Sequence, residues 1–204
     1  MPVHVKICGV TSVEDALAAV AAGADAIGVN FAAGSPRRVS VPLARSIVEA
    51  LPERVVSVGV FVDFGEEQLR DVQSQTGLRC VQLHGDESPE LLSVFLPHAY
   101  KAIRVRGRES LALAARYPGQ HILLDAFVPG AHGGTGATFD WALAAEVARV
   151  RSVTLAGGLS PANVAEAVRV VRPYCVDVAS GVESAPGRKD AGLMRAFVEA
   201  AKGA

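Results

Sequence analysis

Several things are scarce in this sequence, and each scarcity argues against a class of function. Basic and acidic residues nearly cancel, 20 Lys and Arg against 21 Asp and Glu, for a formal net charge of -1. Without a cationic excess there is little to neutralise a phosphate backbone, which argues against general nucleic-acid binding beyond a local basic patch. Aromatic residues make up only 5% of the chain, too few for base-stacking platforms. No apolar run approaches the roughly 20 residues that span a bilayer. The opening MPVHVKICG reads as a strand and lacks the apolar core and cleavage site of a signal peptide. Three cysteines, Cys8, Cys80 and Cys175, lie far apart with no C-x-x-C spacing, as expected of free thiols in a reducing compartment, by default the cytoplasm. There is no H-x-x-x-H pair and no knot of acids, so no metal site is expected. No G-x-G-x-x-G follows the first apolar run, which counts against a dinucleotide fold.

What is plentiful is apolar surface. Half of the 204 residues are hydrophobic and 20% are charged, enough burial to offset the ordering entropy of a globular chain. Short β-branched runs alternate with Ala/Leu-rich stretches throughout. The runs fall at 2–8, 25–31, 54–62, 79–83, 99–105, 121–125, 151–156 and 174–179. Helical signals follow each. Ser12 precedes Glu14 and Asp15, and an Ala-rich run ends at Gly23. Ser40 with Pro42, Ser88 with Pro89 and Ser160 with Pro161 mark the starts of the second, fourth and seventh helices. The eighth covers 190–202. Strict β-then-α alternation implies a parallel sheet covered by helices. Eight units of about 25 residues close into a (β/α)8 TIM barrel, a single domain over 1–204 with short loops.

In such a barrel chemistry collects at the C-terminal ends of the strands. The residues there are Cys8, Asn30, Arg37, Asp63, His84, Arg104, Asp125, the 133–140 loop, Gly157, Gly158, Ser180 and Gly181. Gly157-Gly158 and Ser180-Gly181 follow adjacent strands, where exposed backbone amides can hold a phosphate; alternatively these glycines only permit tight turns. Cys8 is either a small buried hydrophobe or a thiolate acting as base or nucleophile, which needs a lowered pKa. Cys80 and Cys175 lie within strands and read as filler. Asp125 closes an apolar run, where a carboxylate is costly unless paired or working. Strands 1 and 6 are not neighbours, so Cys8 and Asp125 would face each other across the mouth, an acid and a base about a small substrate. Lys6 shares parity with Cys8, and Asp177 lies on the strand that adjoins the first on closure. The two either pair inside the barrel or point outward under the helices.

Seven motifs occur in order: Val5-Lys6-Ile7-Cys8-Gly9, Ser35-Pro36-Arg37, Gln82-Leu83-His84-Gly85, Leu124-Asp125, Gly133-Gly134-Thr135-Gly136 with Phe139-Asp140-Trp141, Ala156-Gly157-Gly158, and Ser180-Gly181-Val182-Glu183. Together they resemble the phosphoribosylanthranilate isomerases of tryptophan biosynthesis, over essentially the whole chain. The resemblance implies the barrel and an Amadori rearrangement of N-(5-phosphoribosyl)anthranilate to 1-(2-carboxyphenylamino)-1-deoxyribulose 5-phosphate, without a cofactor. By that resemblance Asp125 is the general acid on the furanose ring oxygen and Cys8 the base at C2′. Arg37 would hold the anthranilate carboxylate. The phosphate would lie at Gly157, Gly158, Ser180 and Gly181, beneath a 131–138 loop that closes above. His84 and Gly136 are further candidate substrate contacts. The implied partner is a small phosphoribosyl substrate, with neither nucleic acid nor membrane, in a monomer or homodimer. One departure is the small Phe31-Ala32-Ala33-Gly34 loop, where a bulkier residue could have lined the anthranilate ring.

Two alternatives remain open. Another phosphate-binding barrel enzyme would need a lysine pair at strand ends, metal-binding histidines, or an aspartate base at position 8. A silent phosphosugar-binding module would keep Gly157 and Ser180 but has no need of Cys8 together with Asp125.

Overall fold

The computed structural model describes residues 3–126 and 141–204. Eight strands, β1 His4–Cys8, β2 Ala26–Asn30, β3 Val56–Phe61, β4 Cys80–Leu83, β5 Ala99–Val105, β6 His121–Ala126, β7 Ser152–Ala156 and β8 Cys175–Val178, form one closed parallel barrel in chain order. The predicted runs coincide with these strands to within a residue or two at each end. Closure is the β1–β8 pairing, with Lys6 opposite Asp177, while on its other side β1 sets Cys8 opposite Gly28. Helices α1 Val13–Ala21, α2 Val41–Ala50, α3 Glu66–Thr76, α4 Pro89–Phe95, α5 Glu109–Arg116, α6 Trp141–Ala148, α7 Val164–Val171 and α8 Ala191–Lys202 cover the outside.

The helix starts follow the capping chemistry of the sequence. Ser12, Ser40 and Ser88 accept from the backbone N–H groups of Asp15, Leu43 and Leu91, and Pro42 and Pro89 occupy first-turn positions where no N–H is needed. Ser160-Pro161 does not start the seventh helix. The Asn163 side chain accepts from Ser160 N–H at 2.8 Å and donates to the Gly158 carbonyl at 3.0 Å, holding a turn that delays α7 to Val164. A small antiparallel pair, β9 Glu183–Ala185 and β10 Arg188–Lys189, follows β8 and was not legible in the apolar pattern.

Alternation along each strand divides the buried residues into two apolar clusters. Val5, Ile7, Ile27, Val81, Leu83, Ile122, Leu124 and Val176 belong to the larger, which packs strands against helices. Each fully buried aliphatic side chain there contributes about 1.5–3 kcal/mol. Val58, Tyr100, Ala102, Leu123 and Ala156 form the smaller, on the opposite faces of the strands. That inner side also carries Lys6, Gln82 and Asp177. Lys6 donates to Asp177 Oδ2 at 2.8 Å and to Gln82 Oε1 at 3.0 Å, so of the two orientations left open the inward pair is the one formed. Burial works against the Lys6 charge, but Asp177, together with Cys8 and Tyr100, outweighs it and holds the ammonium well above the ordinary lysine range. No helix among the described residues is long and apolar enough to cross a membrane.

Candidate active site

A cavity of about 350 Å³ opens where the strands end, lined by Cys8, Asn30, Arg37, His84, Arg104, Asp125, Gly157, Gly158, Asp177 and Ser180 among others. Most of the residues singled out by position alone therefore share one space. Cys8, on β1, and Asp125, on β6, line it from strands that are not neighbours. A larger concavity, about 1000 Å³, lies at the opposite end; its lining among the described residues includes His4, Arg149, Arg151, Arg169, Arg172 and Lys202 but no Asp or Glu side chain. It offers no acid–base pair and lies at the end where barrels do not carry chemistry.

The Cys8 thiol owes its place to a neighbour with no side chain. A Cβ on Gly28 would come within 2.8 Å of Cys8 Sγ and 3.1 Å of Lys6 Cε. Gly28 is thus a functional position that its strand context, Ala-Ile-Gly-Val-Asn, did not reveal. Burial, and then the Asp177 charge, push the thiol above its ordinary pKa, although Lys6 and Lys189 pull the other way. The lowered pKa that a thiolate base calls for is therefore not what these surroundings favour: without a ligand they favour the thiol. Burial also holds Cys80 and Cys175 up, to about 11 and about 12, as suits filler.

Asp125 is held from one side. His84 Nε2 lies 3.2 Å from Asp125 Oδ2, and His84 Nδ1 lies 2.9 Å from Gln82 Nε2. His84 lines the cavity, but both ring nitrogens are already committed to the protein. Its hydrogen-bonding capacity orients Asp125 rather than reaching freely toward a ligand.

Arg37 is not a freely solvated loop arginine. Its side chain is 22% exposed, and its Nε and Nη2 donate to the two Glu183 oxygens at 2.7 and 2.6 Å. Glu183 also accepts from Lys189 Nζ at 2.8 Å, and Lys189 donates to the Ala179 carbonyl. Burial disfavours the Glu183 charge, yet the two cations outweigh it and hold the carboxyl below the ordinary range. The bidentate clamp aligns the guanidinium and leaves Nη1 without a hydrogen bond among the described residues. Gly9, at φ +70, provides the room, since a Cβ there would collide with the Arg37 side chain.

Gly157 and Gly158 both have positive φ, +89 and +64, a region that glycine enters without strain. Gly181 stands behind the rim, where a Cβ would collide with the Leu159 carbonyl, so it serves close packing of the two glycine loops. Asp63 does not line the cavity. It has φ +58, and its Oδ1 accepts from Asp86 N–H at 2.7 Å, joining two loops. Asn30 lines the cavity while its Oδ1 accepts from Ala32 N–H at 2.8 Å. Gly136 and the rest of the 131–138 loop lie outside the described residues. Asp177, 7% exposed, keeps Oδ1 without a partner among the described residues and lines the cavity floor. No group of three or more possible metal ligands occurs among the described residues.

The family model for N-(5'-phosphoribosyl)anthranilate isomerase matches residues 5–200. The chain belongs to this isomerase family. It is 49% identical over 201 residues to the N-(5'-phosphoribosyl)anthranilate isomerase of Geobacter sulfurreducens, covering 98% of this chain and 99% of that protein. The crystal structure of the phosphoribosyl anthranilate isomerase from Thermotoga maritima superposes with a TM-score of 0.91 at 43% identity, covering 99% of this chain and all (100%) of the other. A phosphoribosyl anthranilate isomerase in complex with reduced 1-(o-carboxyphenylamino)-1-deoxyribulose 5-phosphate gives 0.88 at 42% identity, with 99% and 100% covered. The resemblance read from the motifs and these relatives name the same family of isomerases, and the barrel expected from periodicity is the fold of these structures.

Proposed function

We propose that the chain converts N-(5-phosphoribosyl)anthranilate to 1-(2-carboxyphenylamino)-1-deoxyribulose 5-phosphate, with Asp125 as general acid and Cys8 as general base. The observation that carries the reading is that these two groups line one cavity from non-adjacent strands, with the Gly157-Gly158 turn and Ser180 on its rim. Asp125 protonates the furanose ring oxygen as the C1′–O bond breaks and the anilino nitrogen lone pair forms an iminium. That cation acidifies C2′–H and, standing near Cys8, favours the thiolate that burial disfavours. Cys8 takes the C2′ proton, and the electron pair returns to nitrogen as an enolamine. Transfer of the enol proton from oxygen to C1′ gives the ketone. Cys8, having given up its own proton to solvent as the iminium formed, ends the cycle as the thiol it began as, and Asp125 takes a proton back from solvent, so the cycle balances. The phosphate lies at the glycine loops, where backbone amides supply an anion site without a full positive charge. The Nη1 side of Arg37 meets the anthranilate carboxylate. Asp177 Oδ1 is available as acceptor for a ribosyl hydroxyl.

The test is loss of anthranilate fluorescence when purified protein meets freshly made substrate. The Cys8→Ala and Asp125→Ala variants should bind a product analogue yet turn over at least ~100-fold more slowly, the usual scale of an acid–base contribution. Full activity in Cys8→Ala would overturn the mechanism, and binding without turnover by the wild type would overturn the activity.

A further inference from the structure

From Lys6 inside the barrel up to the cavity wall the protein carries a chain of polar groups that the acid–base scheme does not by itself require. Lys6 Nζ lies 3.0 Å from Gln82 Oε1, and the Tyr100 hydroxyl lies 3.0 Å from the same oxygen. Gln82 Nε2 lies 2.9 Å from His84 Nδ1, and His84 Nε2 lies 3.2 Å from Asp125 Oδ2. Lys6 and Gln82 are 2% and 1% exposed, so bulk water does not compete for these partners.

The order of atoms along this chain follows from donor and acceptor capacity. An ammonium only donates, so the Gln82 atom facing Lys6 must be the amide oxygen. The atom facing His84 is then the NH2 group, which also only donates. His84 Nδ1 must therefore offer its lone pair, and the ring proton of neutral His84 is on Nε2, directed at Asp125. We propose that Gln82 is a positioning residue for the isomerisation: clamped by Lys6, it holds His84 as the Nε2–H tautomer. This inference rests on the assignment of Asp125 as the acid.

The tautomer decides where the acid keeps its proton. With Nε2–H donating to Oδ2, the proton of Asp125 resides on Oδ1, free for the ring oxygen. When that proton leaves, the same N–H faces a carboxylate and its hydrogen bond strengthens as charge develops, which helps the step. With the proton on Nδ1 instead, Nε2 would present a lone pair to Oδ2. Asp125 would then direct its own proton into the imidazole, away from the substrate.

The experiment has two parts. Long-range 1H–15N correlation on labelled wild-type protein reads the tautomer of His84 directly, and a protonated Nε2 with an unprotonated Nδ1 is expected. In kinetics, Gln82→Met should lower kcat by about 10-fold or more, part of the usual acid–base contribution, with KM within about 2-fold. In a His84→Gln background, where an amide N–H stands in for Nε2–H and has no tautomer to lose, Gln82→Met should change kcat by less than about 2-fold, the scatter of uncoupled sites. An Nδ1–H tautomer in the wild type, or an equal loss from Gln82→Met in both backgrounds, would overturn the inference. The tautomer measurement needs no variant to fold. Failure of the activity reading would show separately, as absence of turnover by the wild type.

Discussion

Replacing Gly28 by alanine tests whether the cavity was shaped around Cys8. The added Cβ would lie 2.8 Å from Cys8 Sγ, 3.1 Å from Lys6 Cε and 3.2 Å from Cys8 Cα. The first two belong to side chains that can move, but the third is backbone of the paired strand, so β1 and β2 must separate by a few tenths of an ångström. Overpacking of this kind costs about 1–3 kcal/mol. Relief of the glycine penalty within a strand offsets roughly 0.5–1 kcal/mol of that. The net loss is about 0–2.5 kcal/mol, which at roughly 2–4 °C per kcal/mol for a chain of this size lowers Tm by at most about 10 °C. Activity should suffer far more. A base displaced by about 1 Å costs on the order of 100-fold, so kcat should fall on that scale while KM changes little, because Arg37 and the glycine loops are untouched. Gly59→Ala is the control. Its Cβ would meet Phe61 at 2.6 Å and Leu78 at 2.8 Å, outside the cavity, so it should cost stability and leave kcat alone. Urea unfolding and the fluorescence assay on both variants decide the matter. A Gly28→Ala protein with wild-type kcat, or a Gly59→Ala protein as slow as Gly28→Ala, would refute the argument.

Two further outcomes follow from the charged groups. Because burial and Asp177 raise the Cys8 thiol, its alkylation by iodoacetamide in the unliganded protein, followed by peptide mass spectrometry, should rise only above the ordinary thiol range; an apparent pKa below that range would contradict the electrostatics. Glu183→Gln leaves Lys189, whose side chain has 0% exposure, without its countercharge, and should cost about 3–5 kcal/mol in urea unfolding near neutral pH, with KM raised as Arg37 loses its clamp. Since the folded Glu183 carboxyl is held below its unfolded value, its stabilisation is present above the unfolded pKa and is lost as pH falls through the folded one. The wild-type and variant stabilities should therefore converge in acid, and a constant gap down to the lowest pH measured would rule out the ion pair as the cause.

The eight strands were legible because a parallel strand under a helix must be nearly continuous in apolar residues, and runs such as Val81-Gln82-Leu83 and His121-Ile122-Leu123-Leu124 carry that demand locally. Cys8 and Asp125 were legible as well, since the end of a barrel strand is a place that topology alone marks. What escaped were partnerships between distant positions. Arg37 and Glu183 are 146 residues apart in the chain, so nothing beside the arginine announced its partner. Gly28 matters for the side chain across the β1–β2 ladder, not for its own backbone, so no turn or positive φ announced it. Gln82 falls within the quoted Gln-Leu-His-Gly motif, but its role depends on which atom of its amide meets Lys6. Asp63 shows the opposite failure, a strand-end carboxylate whose oxygen is spent on the Asp86 backbone.

The polar residues inside the barrel are explained better by function than by stability. A buried ion pair such as Lys6–Asp177, at 2% and 7% exposure, is often neutral to replace by apolar groups of similar volume, or stabilising to replace by about 1–4 kcal/mol. Val58, Ala102 and Leu123 show that the same interior accepts purely apolar filling. Lys6 and Gln82 are each two residues below a residue that lines the cavity, Cys8 and His84, so strand parity aims them at the layer directly beneath the reacting groups. The same lysine acts in two directions from there. It lies beside Cys8, where its charge favours the thiolate, and it fixes the Gln82 amide that faces His84 and, through it, Asp125. One buried cation thereby couples the setting of the proposed base on β1 to the setting of the proposed acid on β6.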